Sequence, residues 1–491
     1  MNNSHTNLTS RRRWLALATA AIGAGLMPIL GRADDDAESH DALDVEDHFG
    51  DSANTTFTLA NTGLSANIVV VGGGMAGATA AKYLRLWGGA GVKVTLVEPN
   101  ALYTSNIMSN MVLNGRRTVS SLDYNYNGLT TKYGVTLKQA SLVSIDKGAK
   151  QISLSDGSSL AYDRLVLAPG IEFVDAYGLT QQDYEVRTPH AWQAGPQTAL
   201  LATQLAGMSS SGVFVMTIPK SPYRCPPGPY ERACLVADFL KTRAGGSTSK
   251  VIVLDENVEK VAGNPYSAIQ AEVENFTQAF QVTHGGVIDY RSGVKSIQIN
   301  PNTKVVTYLD AQNASQSIQA EVVNPIVPQR ARGGGVGGWL STAGLTNSKD
   351  STGAADNRWC VVNVLSFEST ASGATGIHVL GDAASCGLPK AGHVANQEAK
   401  ICADAIVRLL GGQQPDPAPV ANSACFSPIT ASTASWLTAV YQYDSATQKL
   451  VVANNGGSTS GASHIEASAP FAENFKQMNT WFNTLMGDSF A

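Results

Sequence analysis

The sequence predicts an α/β fold built on a dinucleotide-binding βαβ unit, and three observations carry that prediction. A β-branched run, Asn67–Val71, is followed at once by Gly72-Gly73-Gly74-Met75-Ala76-Gly77. A helical pattern from Ala78 to about Leu86 comes next, then a second strand, Val92–Val97, that ends in Glu98. Further short apolar runs recur downstream, at Tyr162–Gly170, Val213–Ile218 and Gly376–Ala383. Strands alternating with helical patterns are the signature of a parallel sheet.

Within the first unit each residue has a physical task. Gly72 permits the tight turn, Gly74 lets a pyrophosphate approach the backbone, and Gly77 lets helix and strand pack closely. The helix N-terminus offers unpaired N–H groups and a partial positive charge to the phosphates. Glu98, about 20 residues on, is placed to accept ribose hydroxyls. A Gly-x-Gly-x-x-Gly is weak evidence by itself; between two strands and before an acid it is specific.

The 491 residues, 43% hydrophobic and 15% charged, suffice for several cores and exclude a disordered or collagen-like chain. The net charge of −5 argues against a nucleic-acid surface, which needs clustered cations. Arg11-Arg12-Arg13 precedes an uncharged stretch from Trp14 to Gly31, with a small-residue cleavage site at Gly31-Arg32-Ala33. Residues 1–33 therefore read as a twin-arginine (Tat) export signal, which implies a periplasmic protein. An N-terminal membrane anchor is the competing reading, but the stretch is Gly-diluted and at the ~17-residue lower limit for spanning. Residues 34–65 read as a solvated acidic linker, with eight acids between Asp34 and Gly50. No other segment approaches a membrane-spanning length, so no transmembrane anchor is expected after signal removal.

The fingerprint does not separate FAD from NAD. Tyr162–Gly170 and Gly376–Ala383 do, because they resemble the further signatures of flavoproteins with two dinucleotide-binding domains. That resemblance implies FAD, with Asp382 on its ribitol, and a FAD domain interrupted by a second Rossmann-like domain. The expected organisation is 66–172 and 321–413 for the two parts of the FAD domain, 173–320 for the insert, and 414–491 for a C-terminal interface region. In such inserts a second Gly fingerprint takes NAD(P)H. Here Val213–Ile218 is followed by Pro219-Lys220-Ser221-Pro222-Tyr223-Arg224-Cys225-Pro226-Pro227-Gly228-Pro229, and prolines remove the N–H donors a phosphate cradle needs.

The run RCPPGPYERA (Arg224–Ala233) resembles that of the flavoprotein subunit of flavocytochrome c sulfide dehydrogenase, a relative of the sulfide:quinone oxidoreductases. VEPN (Val97–Asn100), PHAW-AG (Pro189–Gly195), PQRA (Pro328–Ala331), AGLTN (Ala343–Asn347) and PK-G…AN (Pro389–Asn396) resemble the same family in order along the chain. The resemblance implies a redox-active disulfide between Cys225 and Cys425, an acid–base carboxylate at Glu231, and a flavin-side cation at Lys390. It implies oxidation of sulfide, a small inorganic substrate, with electrons passed to a c-type cytochrome subunit. A sulfide:quinone oxidoreductase and a non-catalytic flavin-fold docking subunit are the alternatives. Independently, Cys225 precedes a helix with apolar positions Ala233, Val236, Ala237 and Leu240, where the helix dipole would favour a thiolate. Glu231 is also simply a favoured first-turn residue.

One departure bears on the cofactor. Where the family often has a cysteine bonded to the flavin 8α-methyl group, this sequence has Asn106, which cannot form a thioether; noncovalent FAD is expected. Cys234 and Cys402 sit in helical patterns as small core residues, and a Cys360–Cys386 pairing is left open. There is no Cys-x-x-Cys-His, so no haem is expected on this chain, and no His or Cys spacing suggests a metal. Arg332–Gly338 (RGGGVGG) reads as a flexible surface loop or lid. Phe471, Phe475, Met478, Phe482 and Leu485 form one helical stripe, suited to packing on its own domain or a partner.

Overall fold

The computed structural model describes residues 58–243, 247–453 and 464–491; the predicted export signal and most of the acidic linker lie outside them. The first strand, Ala66–Val71, pairs in parallel with Val92–Val97 on one side and Arg164–Leu167 on the other. Thr136–Lys138 extends the sheet beyond Val92–Val97. Across Arg164–Leu167 the next neighbour is Ile377–Val379, also parallel, about 200 residues later in the chain. One sheet therefore draws strands from both ends of the sequence, and its residues Val69, Val70, Leu165 and Val166 are buried. Near-continuous apolar runs are what a parallel sheet covered on both faces requires.

The helix after the glycines runs Met75–Gly88, one turn earlier than its apolar pattern suggested. It begins directly at Gly74 with no side-chain cap. Its first N–H groups consequently face the end of the sheet without a side-chain acceptor, the arrangement an anionic ligand exploits.

The intervening segment forms its own four-stranded parallel sheet, ordered Ile288–Ser292, Lys250–Asp255, Val213–Ile218, Val322–Pro325. The helix Gly228–Thr242 follows its central strand. Beyond the helix Gly392–Leu410, the chain makes a long hairpin, Val420–Pro428 with Ala434–Asp444, extended by Lys449–Val452. The final helix, Ala472–Phe490, buries Met478, Phe482, Leu485 and Phe490. Its end is tied to the first helix: Lys82 Nζ donates to the carbonyls of Asp488 (2.9 Å) and Ala491 (2.6 Å), and Tyr83 donates to Asp488 (2.6 Å). Phe490 stacks on Tyr103 at 5.1 Å. The apolar stripe read from the sequence thus packs on its own chain, with Phe471 at its start left exposed. Among the described residues no helix is long and apolar enough to cross a membrane.

Candidate active site

A cavity of about 1010 Å³ runs from Gly72–Gly74 and Glu98, past Tyr103 and Asp382, to Cys225, Glu231 and Cys425. At its nucleotide end the glycines are obligatory. Gly72 has φ +98, and a Cβ on Gly77 would lie 1.8 Å from the Gly72 carbonyl oxygen. The Gly73 N–H donates to Glu98 Oε2 (2.8 Å), and Asn100 donates to Glu98 Oε1 from its backbone and side chain. Glu98 is thereby fixed in the turn with acceptor capacity left on both oxygens. Asp382 sits in the short 3₁₀ turn after Ile377–Val379, and Glu398 accepts the Gly381 N–H (2.6 Å) to hold that turn. The uncapped helix, the backbone cradle that a Cβ would fill, and Asp382 fit a dinucleotide.

In the insert, the loop after Val213–Ile218 is committed to protein contacts. Ser221 N–H donates to Asn257, Arg224 N–H to Gln329 (2.8 Å), and Cys225 N–H to the Lys390 carbonyl (2.7 Å). Cys225 itself has φ +59, unusual for a residue with a side chain. Gly228 makes room for its sulfur, since a Cβ there would lie 2.8 Å from Cys225 Sγ.

Cys225 and Cys425 both line the cavity. They are 200 residues apart in sequence, and the hairpin strand Val420–Pro428 carries the second to the first. No disulfide joins them here; both are free thiols. The expectation that the helix dipole lowers the Cys225 pKa is corrected. Burial pushes the Cys225 thiol well up, with Glu231 and the Cys425 sulfur adding to the rise, and the opposing pull of the Gly228 N–H is smaller. Burial, with help from Glu272, pushes Cys425 up to about 12. The N–H of a first turn cannot offset enclosure beside two other acidic groups.

Glu231 is buried in the first turn of Gly228–Thr242, and burial raises its pKa to about 8. Asn110 Nδ2 donates to Glu231 Oε1 (2.8 Å), while Asn110 Oδ1 accepts from Arg232 Nε (2.8 Å). Arg232 is 1% exposed and spends its remaining donors on the carbonyls of His190 (2.9 Å) and Ala191 (2.7 Å) and on Asn324 (3.0 Å). Its guanidinium also lies 4.7 Å from the Trp192 ring. Asn110 and Asn324 lie outside the motifs read from the sequence, and Arg232 and His190 stand within RCPPGPYERA and PHAW-AG without any spacing that marks them as site residues. His393 lines the cavity beside Cys425 and accepts the Ala424 N–H on Nδ1 (2.9 Å).

Lys390 departs from its expected place. It is absent from the cavity wall; its ammonium donates to the carbonyls of Asp382 (2.8 Å) and Ala384 (2.7 Å) and lies 3.8 Å from the Trp359 ring centre. Its ammonium is thus held by carbonyls of the turn that carries Asp382. Asn106 does line the cavity, where Oδ1 accepts the Ala194 N–H (2.8 Å). The Arg332–Gly338 stretch is fastened by Glu172, which accepts from Gly333 N–H (2.7 Å), Gly335 N–H (3.0 Å) and Arg330 Nε (2.6 Å). The stretch is a surface loop, exposed at Val336 and anchored at Gly333 and Gly335. Cys234, Cys360, Cys386 and Cys402 are buried free thiols, and Cys386 donates to Glu398 (3.2 Å). Among the described residues no group of His, Cys, Asp and Glu is arranged to hold a metal ion.

Comparison with known proteins bears on this arrangement. Residues 66–193 match the pyridine nucleotide-disulphide oxidoreductase family, and residues 198–328 match the central part of the sulfide dehydrogenase (flavocytochrome c) flavoprotein chain. Cys225 and Glu231 lie within the segment that matches the sulfide dehydrogenase flavoprotein chain. This is the family whose motifs the Cys225 loop resembles. The sulfide:quinone oxidoreductase of Aquifex aeolicus shares the fold, with TM-score 0.67 and 16% identity over 86% of this chain and 92% of that one. Putidaredoxin reductase, in its covalent complex with putidaredoxin, gives TM-score 0.54 and 18% identity over 77% and 82%.

Among curated proteins, ferroptosis suppressor protein 1 of Taeniopygia guttata is 33% identical over 108 residues, and rubredoxin-NAD(+) reductase of Ectopseudomonas oleovorans 36% over 103. The alignments cover 22% and 21% of this chain and 27% of each relative. The chain thus spans little more than a quarter of the length of these curated relatives. The two family matches and the shared fold support an oxidoreductase of the FAD-type pyridine nucleotide-disulphide class, with FAD the implied cofactor.

Proposed function

We propose that the chain is the catalytic flavoprotein of a sulfide dehydrogenase, oxidising sulfide to sulfur or polysulfide and delivering electrons to a c-type cytochrome subunit. The carrying observation is that Cys225, Cys425 and Glu231, distant in sequence, face one cavity with the Gly72–Gly77 fingerprint. In the oxidised protein Cys225 and Cys425 form a disulfide. HS⁻ attacks one sulfur, so that a persulfide forms on that cysteine and the S–S bond breaks onto the other, which is protonated as it leaves; re-forming the disulfide then releases the outer sulfur and gives up two protons and the electron pair. FAD, when bound, accepts an electron pair and passes electrons on singly. Gly72, Gly74 and Gly77 would hold its pyrophosphate, and Glu98 and Asp382 its ribose and ribitol hydroxyls. Glu231, protonated at neutral pH by its burial, would hold the proton that the leaving sulfur needs. The chain itself carries no haem in this reading. It is exported to the periplasm by its Tat signal and binds neither nucleic acid nor a membrane.

Anaerobic titration of the FAD-loaded protein with sulfide tests the proposal. Stoichiometric bleaching of the flavin absorbance is expected, and an unchanged spectrum would overturn it, because a docking subunit needs no such reaction. The choice of acceptor then separates the quinone reading, which the shared fold with sulfide:quinone oxidoreductase favours. Reoxidation by cytochrome c but not by a soluble quinone is expected. The stretch 426–491 has only Lys449 and Lys476 as cations, little to offer a membrane surface.

The cofactor should also leave the protein. With Asn106 in place of a thioether-forming cysteine, acid precipitation is expected to release essentially all FAD into the supernatant. Yellow colour remaining on the washed, denatured chain would contradict this.

A further inference from the structure

We propose that Arg224, the residue before the reactive Cys225, is a cofactor-binding residue that takes a phosphate of the flavin nucleotide. This rests on FAD as the cofactor and not on sulfide as the substrate. Arg224 lines the cavity, and its side chain is only 13% exposed. Among the described residues its Nη2 is buried with no hydrogen-bond partner, and its one acidic ion-pair partner, Asp382, is at 4.0 Å, too far for a hydrogen bond. A buried guanidinium nitrogen without an acceptor is costly unless a ligand supplies one.

The surroundings specify the ligand. Gly381, next to Asp382, packs on the first turn of the helix Met75–Gly88, since a Cβ there would lie 3.2 Å from Ala76 Cβ. Gly74 opens the uncapped helix Met75–Gly88, so the guanidinium and the positive helix end address the same part of the cavity. Two positive groups on one stretch of the cavity call for an anion, and the planar fork of arginine suits phosphate oxygens. Asp382 beside it would repel phosphate and accept hydroxyls, which separates the two tasks between neighbouring side chains.

The placement has a structural consequence. The main chain at Arg224 is braced on both sides: its N–H donates to Gln329 (2.8 Å) and its carbonyl accepts from Trp192 Nε1 (3.2 Å). The next N–H, of Cys225, binds the Lys390 carbonyl, and Lys390 Nζ binds the Asp382 carbonyl. The phosphate anchor and the thiol are thus consecutive residues on one braced loop. In this insert the loop that would cradle a nicotinamide nucleotide instead reaches out to the flavin nucleotide of the other domain.

The test is flavin affinity of the full chain, after acid removal of its cofactor, measured by flavin fluorescence with FAD, FMN and riboflavin. For Arg224→Gln, affinity for FAD and FMN should fall about 10- to 100-fold, as for a charge-assisted contact, with riboflavin unchanged. Arg224→Lys, which keeps the charge and loses the fork, should recover part of the loss. Equal weakening of all three flavins would overturn the assignment, because riboflavin has no phosphate. So would unchanged flavin affinities, including the case where only the sulfide-concentration dependence moves, which would assign the charge to the substrate. A wild-type chain that binds no FAD would refute the cofactor reading and Arg224 with it, whereas FAD binding without sulfide turnover would leave Arg224 standing and refute only the proposed function.

Discussion

Replacing Cys225 with serine should lower sulfide-dependent cytochrome reduction by about 10³-fold or more while leaving FAD bound. A serine hydroxyl can neither form the disulfide nor carry a persulfide, so the reaction loses its covalent step rather than a binding contact. Flavin retention should survive because Cys225 is not part of the Gly72–Gly77 fingerprint that would hold the pyrophosphate, and a serine hydroxyl fits the space that the thiol occupies beside Gly228. Cys425→Ser should cost as much, and the double variant little more than either alone, since two sulfurs of one bond act as a unit. Steady-state assays and the flavin spectrum of each variant measure both halves of the expectation. Turnover retained in either single variant would remove the disulfide from the reaction.

The raised thiol pKa values give this scheme a direction. With Cys225 pushed well up and Cys425 at about 12, neither is an ionised nucleophile at neutral pH in the reduced form seen here. The anion that initiates exchange is then the substrate, and the sulfur that leaves requires a proton nearby. A lowered thiol pKa, as the helix dipole alone suggests, would instead let that sulfur leave as an anion with no proton needed. The difference lies in enclosure, which a sequence does not display.

That contrast runs through the whole chain. The βαβ unit was legible because its glycines, strand runs and Glu98 lie within about thirty residues and each has one physical use. The split sheet was legible through the resemblance of Tyr162–Gly170 and Gly376–Ala383 to known signatures. The Cys225–Cys425 pairing came from that resemblance also, and the structure sets both on one cavity wall. What could not be read is which way long side chains turn. Lys390 is captured by carbonyls six and eight residues before it and by Trp359 from another strand, while Arg224, unremarked in the sequence, reaches the cavity with a free nitrogen. The Asn110–Arg232–Asn324 network likewise joins three segments that share no periodicity.

Glu231→Gln is expected to slow turnover by about 10²- to 10⁴-fold and to remove a limb from its pH profile. Burial is the main cause that raises Glu231 to about 8, opposed by the Asn110 hydrogen bond and assisted by the negative charge of Glu272. Activity that needs the protonated carboxyl is full at neutral pH and declines above about 8; the glutamine variant, with nothing to ionise, should show no such decline. Glu272→Gln provides the discriminating control. Glu272 is buried, accepts from Ser427 (2.6 Å), and is itself raised to about 7 by burial. Removing its charge should shift the limb of Glu231 to lower pH without abolishing turnover, since the two carboxyls titrate as a coupled pair. Stability should move with the same groups. A carboxyl raised on folding binds more protons in the folded than in the unfolded chain, so stability is full below the ordinary carboxylate range. It falls as pH rises from there through about 7 and 8. Denaturant midpoints measured between pH 5 and 9 should therefore decline in the wild type and flatten in Glu231→Gln. A midpoint slope unchanged by that substitution would mean Glu231 is ionised in the folded protein throughout, and its place as the proton source for the departing sulfur would fall with it.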